Sequence, residues 1–156
     1  MPKRLEFQDL AKIKIKEAKS LYRNKFYSGA FYLAGYALEF SLKAAVCKNL
    51  KMDDFFEDKK GNNPTKLKDD VLGKFKTHDY RTLIILAGLY HQLENDKKSD
   101  MIFGINWSHI EKMSWSEICR YEISNPKKYN ETDVKEFIKA IDNQKGGSLK
   151  WIQKYW

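Results

Sequence analysis

Hydrophobic positions recur every three or four residues over the first part of the chain, which predicts an amphipathic helix from about Leu5 to Asn24. The positions that share its apolar face are Phe7, Leu10, Ala11, Ala18, Leu21 and Tyr22. Lys12, Lys16 and Lys19 lie largely off that face. We therefore expect the first helix to present a basic outer surface.

A short connection at Asn24-Lys25 leads into a second predicted helix, from about Phe26 to Asn49, which is apolar almost all round. Such a helix belongs in the centre of a bundle or at an interface, antiparallel to its neighbour. One narrow sector carries its small and polar residues, which are Ser28, Tyr32, Gly35, Glu39 and Lys43. A charge on such a helix must be paired or must face a cleft, because an unpaired buried charge is costly. Two interpretations stay open: an internal ion pair or exposed strip, or the polar floor of a groove.

The second half of the chain contains shorter helical patterns separated by polar connections. The predicted helices cover Tyr80–Glu94, about Trp107–Met113, and a last segment that starts near Asn130 or Thr132 and runs to the C-terminus. Thr77 or Asp79 is the expected N-cap of the first of these, and Gly146-Gly147 should weaken or kink the last. The predicted connections are residues 50–77 and Asn95–Gly104.

These patterns predict a single all-α domain over residues 1–156, built as a four- to five-helix up-and-down bundle. With 42% hydrophobic and 14% aromatic residues, the chain is too apolar to be disordered. Three Pro and eight Gly are few for an all-β sandwich, which needs many turns.

The formal net charge of +8 fits a polyanionic partner, because Lys and Arg that neutralise phosphates release counterions. Only four of the 29 basic residues are Arg, and the other 25 are Lys. Lysines spread along exposed helix faces are also ordinary solubilising surface. Both explanations of the charge stay open.

The two cysteines, Cys47 and Cys119, match no metal-ligand or redox spacing, and a reduced cytoplasmic protein is the simplest interpretation. The N-terminal segment is too charged for a signal peptide, and no apolar run is long enough to span a bilayer. The three histidines, His78, His91 and His109, form no helical pair around a carboxylate motif. We therefore expect no metal, no cofactor and no membrane partner.

The predicted second helix resembles the HEPN family of small bacterial helical-bundle proteins. The residues that carry this resemblance are Gly29, Ala30, Ala34, Gly35, Tyr36, Ala37, Leu38, Glu39, Leu42, Lys43 and Ala44. His78, Asp79 and Leu83 are similar to the opening of the family's third helix, and Trp115, Arg120-Tyr121 and the closing KWIQKYW also resemble its single-domain members. The resemblance spans about Leu5–Leu50, Lys76–Leu89 and Trp115–Trp156.

The resemblance implies a helical bundle, often a homodimer, in bacterial defence and toxin–antitoxin systems. Many members are metal-independent ribonucleases in which an Arg is followed, after four to six residues, by a His. The Arg would neutralise phosphate charge, and the His would move protons. None of Arg4, Arg23, Arg81 and Arg120 has a His at that spacing here, so the family's catalytic residues cannot be transferred.

Three hypotheses follow. The leading one is a HEPN-like module without catalysis that binds RNA, a nucleotide or a cognate partner protein. Its expected binding residues are Tyr32, Glu39, Lys43, His78, Arg81, Arg120 and Tyr121. The second is a divergent metal-independent ribonuclease with Arg120, His78 and Glu39 as candidate catalytic residues. The third is a purely structural dimerising subunit, and a homodimer is expected in any case.

Overall fold

The computed structural model describes residues 2–56, 73, 75–122 and 128–156, and these residues contain helices but no strands. The α-helices are α1 (Arg4–Arg23), α2 (Tyr27–Asn49), α3 (Tyr80–Leu86), α4 (Tyr90–Ser99), α5 (Met101–Met113), α6 (Glu131–Asp142) and α7 (Ser148–Ile152), with a 3-10 helix over Glu117–Tyr121 between α5 and α6. The predicted all-α class is confirmed. Within the described residues there are seven α-helices, where four or five were predicted. The predicted connection over 50–77 lies mostly outside the described residues.

The first two helices form the expected hairpin. The chain turns through Lys25, whose φ of 64° places it in the left-handed region, and α2 begins two residues later. On its inner face α1 buries Phe7, Ala11, Ile15 and Ala18, which largely follows the predicted stripe. Its outer lysines are exposed as predicted.

Helix α2 lies at the centre of the protein, where it packs against α1, α3, α6, α7 and the 3-10 helix. Between Ala30 and Cys47 most of its side chains are buried, which explains why this helix is apolar almost all round. Buried apolar side chains from every helix join one hydrophobic cluster around it. The apolar faces of α2 are thus covered within the same chain.

The predicted helix over Tyr80–Glu94 is wrong, because the structure divides it. Asp79 caps α3 as expected, and its carboxylate accepts a hydrogen bond from the backbone N–H of Thr82 at 2.7 Å. The helix ends at Leu86, and Gly88 follows with a φ of 70°, a left-handed conformation that glycine adopts without steric cost. The chain then starts again as α4 at Tyr90.

The predicted connection over Asn95–Gly104 is also wrong. Helix α4 continues to Ser99, and α5 begins at Met101 and includes the predicted helix near Trp107. Asp100 separates them by capping α5, since its carboxylate accepts a hydrogen bond from the backbone N–H of Phe103 at 3.0 Å. The polar run that predicted a connection is therefore largely the exposed surface of two helices.

The final predicted helix is confirmed with an interruption. Asn130 caps α6 by accepting a hydrogen bond from the backbone N–H of Asp133 at 2.9 Å. The helix stops at Asp142, and Gly146 adopts a φ of 69° before α7 begins. The glycine pair thus separates two helices rather than kinking one.

Candidate functional site

The charged end of the polar sector on α2 is buried. Glu39 is completely buried and Lys43 is 3% exposed. Lys43 Nζ donates a hydrogen bond to Glu39 Oε1 at 2.6 Å, and the ammonium lies 5.4 Å from the Phe56 ring centroid and 6.0 Å from that of Phe7. Such a pair is stable only while both partners are present, because a single buried charge is strongly destabilising. Of the two interpretations of this sector, the internal ion pair is observed.

The second carboxylate oxygen of Glu39 connects this ion pair to the protein surface. Glu39 Oε2 lies 2.9 Å from His78 Nδ1, and the His78 side chain is 40% exposed. An ionised carboxylate only accepts hydrogen bonds, so the proton in this contact belongs to Nδ1. In the neutral imidazole Nε2 then carries the lone pair. The buried pair therefore fixes the orientation and the tautomer of a ring that solvent can reach.

This arrangement can perform acid–base chemistry. A carboxylate that holds the far nitrogen of an imidazole is the usual way in which proteins orient a histidine for proton transfer. Lys43 balances the charge of Glu39 at the other end, so the carboxylate does not depend on a charged imidazole for its counterion. Lys43, Glu39 and His78 thus form a hydrogen-bonded chain from the core to the surface.

Tyr36 links His78 to the other end of the polar sector. Its ring centroid lies 6.3 Å from that of His78 and 4.9 Å from that of Tyr32, both edge to face. Burial raises the pKa of Tyr36; a side-chain hydrogen bond with Tyr32 and the nearby charge of Glu39 act in the same direction, whereas Arg120 opposes them. Tyr36 therefore keeps its proton at neutral pH, and the hydrogen bond with Tyr32 uses that proton.

Arg120, on the 3-10 helix, contacts Tyr32, whereas His78 contacts Tyr36. Arg120 is exposed, and its guanidinium carbon lies 4.6 Å from the centroid of the Tyr121 ring. A side-chain hydrogen bond with Tyr32 raises the pKa of Arg120. The guanidinium is therefore a permanent cation that adjoins Tyr32 and Tyr36. We call this group the α2 site; its members are Tyr32, Tyr36, Glu39, Lys43, His78, Arg120 and Tyr121.

A close approach at Gly35 holds the α2 site together. A Cβ at Gly35 would lie 2.0 Å from Trp115 Nε1, so only glycine leaves room for the indole against the helix. Trp115 donates a hydrogen bond from Nε1 to the Tyr32 carbonyl at 3.2 Å and stacks on Tyr80, with a centroid separation of 5.3 Å. The Tyr80 hydroxyl donates to the Gly35 carbonyl at 2.8 Å. One turn of α2 therefore anchors both segments that carry the candidate catalytic side chains.

Arg81, which was expected to bind with the others, faces a different cavity. This cavity has a volume of about 420 Å³ and is lined by residues of α3, α4 and α5, including Arg81, Glu94 and Trp107. Tyr80 and Trp115 line it as well, but the α2 site residues do not. The structure thus gives Arg81 no place in the α2 site.

The structure brings the other predicted site residues together, adds Tyr36 to them, and shows that Trp115 packs against the site, which the sequence analysis missed. Tyr36 and Trp115 make the contacts that connect His78 with Arg120. Tyr36 could have been found, because it lies four residues after Tyr32 and three before Glu39 on the same helix. No pattern in the sequence around Trp115 predicts that it contacts α2, because the two are far apart along the chain.

Among the residues that the structure describes, no three His, Cys, Asp or Glu side chains are grouped closely enough to hold a metal ion. No helix in the described ranges is long and apolar enough to cross a membrane. No family model, curated protein or solved structure matches this chain. The HEPN resemblance therefore rests on the sequence pattern alone.

Proposed function

We propose that this chain is a HEPN-like protein that cleaves RNA without a metal ion, with His78 as the acid–base group and Arg120 as the phosphate-binding cation. The observation that carries the proposal is the contact between the partly exposed His78 and the fully buried Glu39. A surface histidine needs no such partner for solubility, whereas a proton-transfer histidine needs a fixed orientation. The geometry therefore favours the catalytic hypothesis over a module without catalysis.

The chemistry uses groups that the chain itself supplies. His78 Nε2 takes the proton from a ribose 2′-hydroxyl as its oxygen attacks the adjacent phosphorus. The bond from phosphorus to the 5′-oxygen breaks, and that oxygen leaves with a proton from water. The hydroxide that remains takes the proton from the imidazolium, which restores neutral His78. The products are a 2′,3′-cyclic phosphate and a 5′-hydroxyl. Glu39 stabilises the imidazolium that forms, and Lys43 donates a hydrogen bond to the other oxygen of Glu39.

Arg120 and the two tyrosines supply the binding part of the α2 site. The guanidinium donates to phosphate oxygens and balances the charge that develops on them. Tyr32 already contacts Arg120, and Tyr36 contacts Tyr32 in turn. The target is therefore a phosphodiester of single-stranded RNA, in the bacterial defence or toxin–antitoxin context that the resemblance implies.

A second candidate is the module without catalysis that binds RNA, a nucleotide or a cognate partner protein. It is favoured by Arg120, which lies over the exposed ring of Tyr121 and so offers a cation beside an aromatic face. A homodimer remains an expectation under either candidate.

The test is cleavage of a labelled single-stranded RNA by the purified protein in excess chelator. We expect His78→Ala to lower the rate by roughly 10²- to 10⁴-fold, the usual contribution of an acid–base group. Arg120→Ala should lower it by about 10²-fold or more. The matched control is His91→Ala, because His91 is an exposed histidine on α4 outside the α2 site.

Three results discriminate between the candidates. Loss of cleavage in the His78 variant but not the His91 variant supports the ribonuclease. RNA that binds but stays intact over varied sequences supports the module without catalysis. Cleavage that survives His78→Ala would show that the proton transfer occurs elsewhere.

A further inference from the structure

A second basic region lies on the outer face of α1, away from the α2 site. Lys12, Lys16 and Lys19 line a shallow groove of about 230 Å³ together with Trp156 and the Asp142 carboxylate. The three lysines are spaced by four and three residues, so they follow one edge of the helix over about 10 Å. We call this surface the α1 groove.

The α1 groove keeps a positive excess after its internal ion pairs are taken into account. Lys19 pairs with Asp142, and Lys12 Nζ lies 3.3 Å from Asp9 at the rim. Within the described residues Lys16 is exposed and has no ion-pair partner. The groove therefore presents one free ammonium between two partly neutralised ones, on a chain that carries a net charge of +8.

An aromatic ring forms part of the same groove. The indole of Trp156 is half-buried, and Lys12 Nζ lies 6.0 Å from its centroid. Trp107, Trp115 and Trp151 are buried in the core, so Trp156 is the tryptophan best placed to meet a ligand. A flat ring beside a row of cations can stack a base while the cations contact phosphates.

We propose that the α1 groove binds single-stranded nucleic acid, with one base stacked on Trp156 and the neighbouring phosphates held by Lys12, Lys16 and Lys19. The groove is smaller than pockets that enclose a whole small ligand, which are typically about 300 Å³ or more. It therefore suits one base of a polymer that continues past it. A base inside a duplex is already stacked, so a duplex could use the lysines but not the ring.

This inference goes beyond the proposed function, because it needs neither cleavage nor His78. If both hold, the α1 groove retains an RNA strand and the α2 site cuts it. If cleavage fails, the groove still predicts binding that depends on Trp156 and Lys16. The two proposals can therefore fail separately.

The experiment measures fluorescence anisotropy of a labelled single-stranded RNA of roughly 12 nucleotides, a length within the usual site sizes. Trp156→Ala should weaken binding roughly 5- to 150-fold, which corresponds to the loss of one stacked base. Lys16→Met should lower the slope of log K against log salt by about 0.7, the contribution of one phosphate on a single strand. Trp156→Phe, which keeps a ring against the protein, should retain most of the affinity and shows that the fold is intact.

Controls exclude a general charge effect. Lys112→Met removes the same charge from an exposed position on α5 outside the groove, and we expect it to bind RNA nearly as the parent does. A duplex of the same sequence should respond to Lys16→Met but not to Trp156→Ala. Binding that is equally weakened by both lysine substitutions, or that polyglutamate competes away as well as unlabelled RNA does, would overturn the proposal in favour of a nonspecific basic surface. Unchanged binding in Trp156→Ala would overturn the stacking role.

Discussion

The α2 site and the α1 groove use charged side chains in opposite ways. In the α2 site the ion pair is enclosed, with Glu39 completely buried and Lys43 nearly so. In the α1 groove the side chain of Lys12 is 54% exposed and that of Lys19 is 48% exposed, and their carboxylate partners are at or near the surface. The enclosed charges are held in one geometry, whereas the exposed ones can follow a ligand.

This difference explains why the two regions suit different tasks. A buried carboxylate with two fixed partners can orient an imidazole for proton transfer, but removal of Lys43 would leave the charge of Glu39 unpaired in the core. Exposed lysines stabilise the protein little, and they remain available to phosphates. Under the two proposals, proton transfer would depend on the α2 site and retention of an RNA strand on the α1 groove.

The largest predicted effect comes from matched lysine substitutions in the two regions. Lys43→Met leaves Glu39 buried without its cation and should cost about 3–5 kcal/mol in the free energy of unfolding. Lys16→Met should change it by less than about 0.5 kcal/mol. Urea denaturation followed by circular dichroism measures both. A Glu39→Gln/Lys43→Met double variant should recover part of the loss, and equal costs at Lys43 and Lys16 would contradict the comparison.

An intermediate effect is expected where Trp115 packs on α2. Gly35→Ala places a Cβ 2.0–2.2 Å from three indole atoms, so the indole must move, at a cost of about 1–3 kcal/mol. The matched control is Gly29→Ala on the same helix, where the new Cβ would meet only Leu21 Cδ1 at 3.1 Å. Since alanine favours helix by up to about 1 kcal/mol, Gly29→Ala should be neutral or stabilising.

The Gly35 substitution also sharpens the functional comparison. It should slow RNA cleavage by shifting the segments that carry His78 and Arg120, and it should leave binding in the α1 groove unchanged. Thermal melting and the two RNA assays measure these outcomes. A Gly35→Ala protein as stable and as active as the parent would show that Trp115 does not position the α2 site.

The smallest predicted effect concerns pH and comes from the two buried cysteines, whereas the exposed lysines of the α1 groove should not contribute to it. Burial raises the pKa of the Cys47 and Cys119 thiols from about 9 to about 11. Between these values the unfolded chain releases protons that the folded protein retains. The contribution of the two thiols to stability is therefore fully present below about pH 9 and is lost as the pH rises towards 11. The loss should be on the order of 1 kcal/mol per thiol at pH 10.

Cys47→Ala isolates the thiol contribution. We expect a smaller difference in unfolding free energy between pH 8 and pH 10 than in the parent, whatever its stability at pH 8. Lys16→Met should leave the difference unchanged over this range. Identical pH dependence in the parent and in Cys47→Ala would show that this thiol is not protected by folding.

The long helices were predictable from the sequence because each has a continuous pattern. Helix α2 was recognised by its apolar character on all sides, and its central position follows from it. The boundaries between α3, α4 and α5 were missed for a physical reason. They depend on the left-handed conformation of Gly88 and on the cap at Asp100, whereas periodicity alone treats a polar helix surface as a loop.

The candidate site was predictable only in part. The polar sector on α2 identified Tyr32, Glu39 and Lys43, because residues on one helix have fixed angular positions. That His78 would contact Glu39 was a hypothesis, and the structure places the two side chains together. The role of Trp115 could not be predicted, since it depends on a packing contact across 83 residues of sequence.

The chain of contacts through Glu39 has a consequence for how this sequence can change over generations. Each of its two carboxylate oxygens has its own charged or polar partner, so a substitution at Glu39 affects both Lys43 and His78. A descendant that lost Lys43 alone would retain a lone anion in its interior, and selection would remove it or replace the acid soon afterwards. Among natural variants, these three positions should therefore be substituted as a set, whereas the lysines of the α1 groove should drift one at a time.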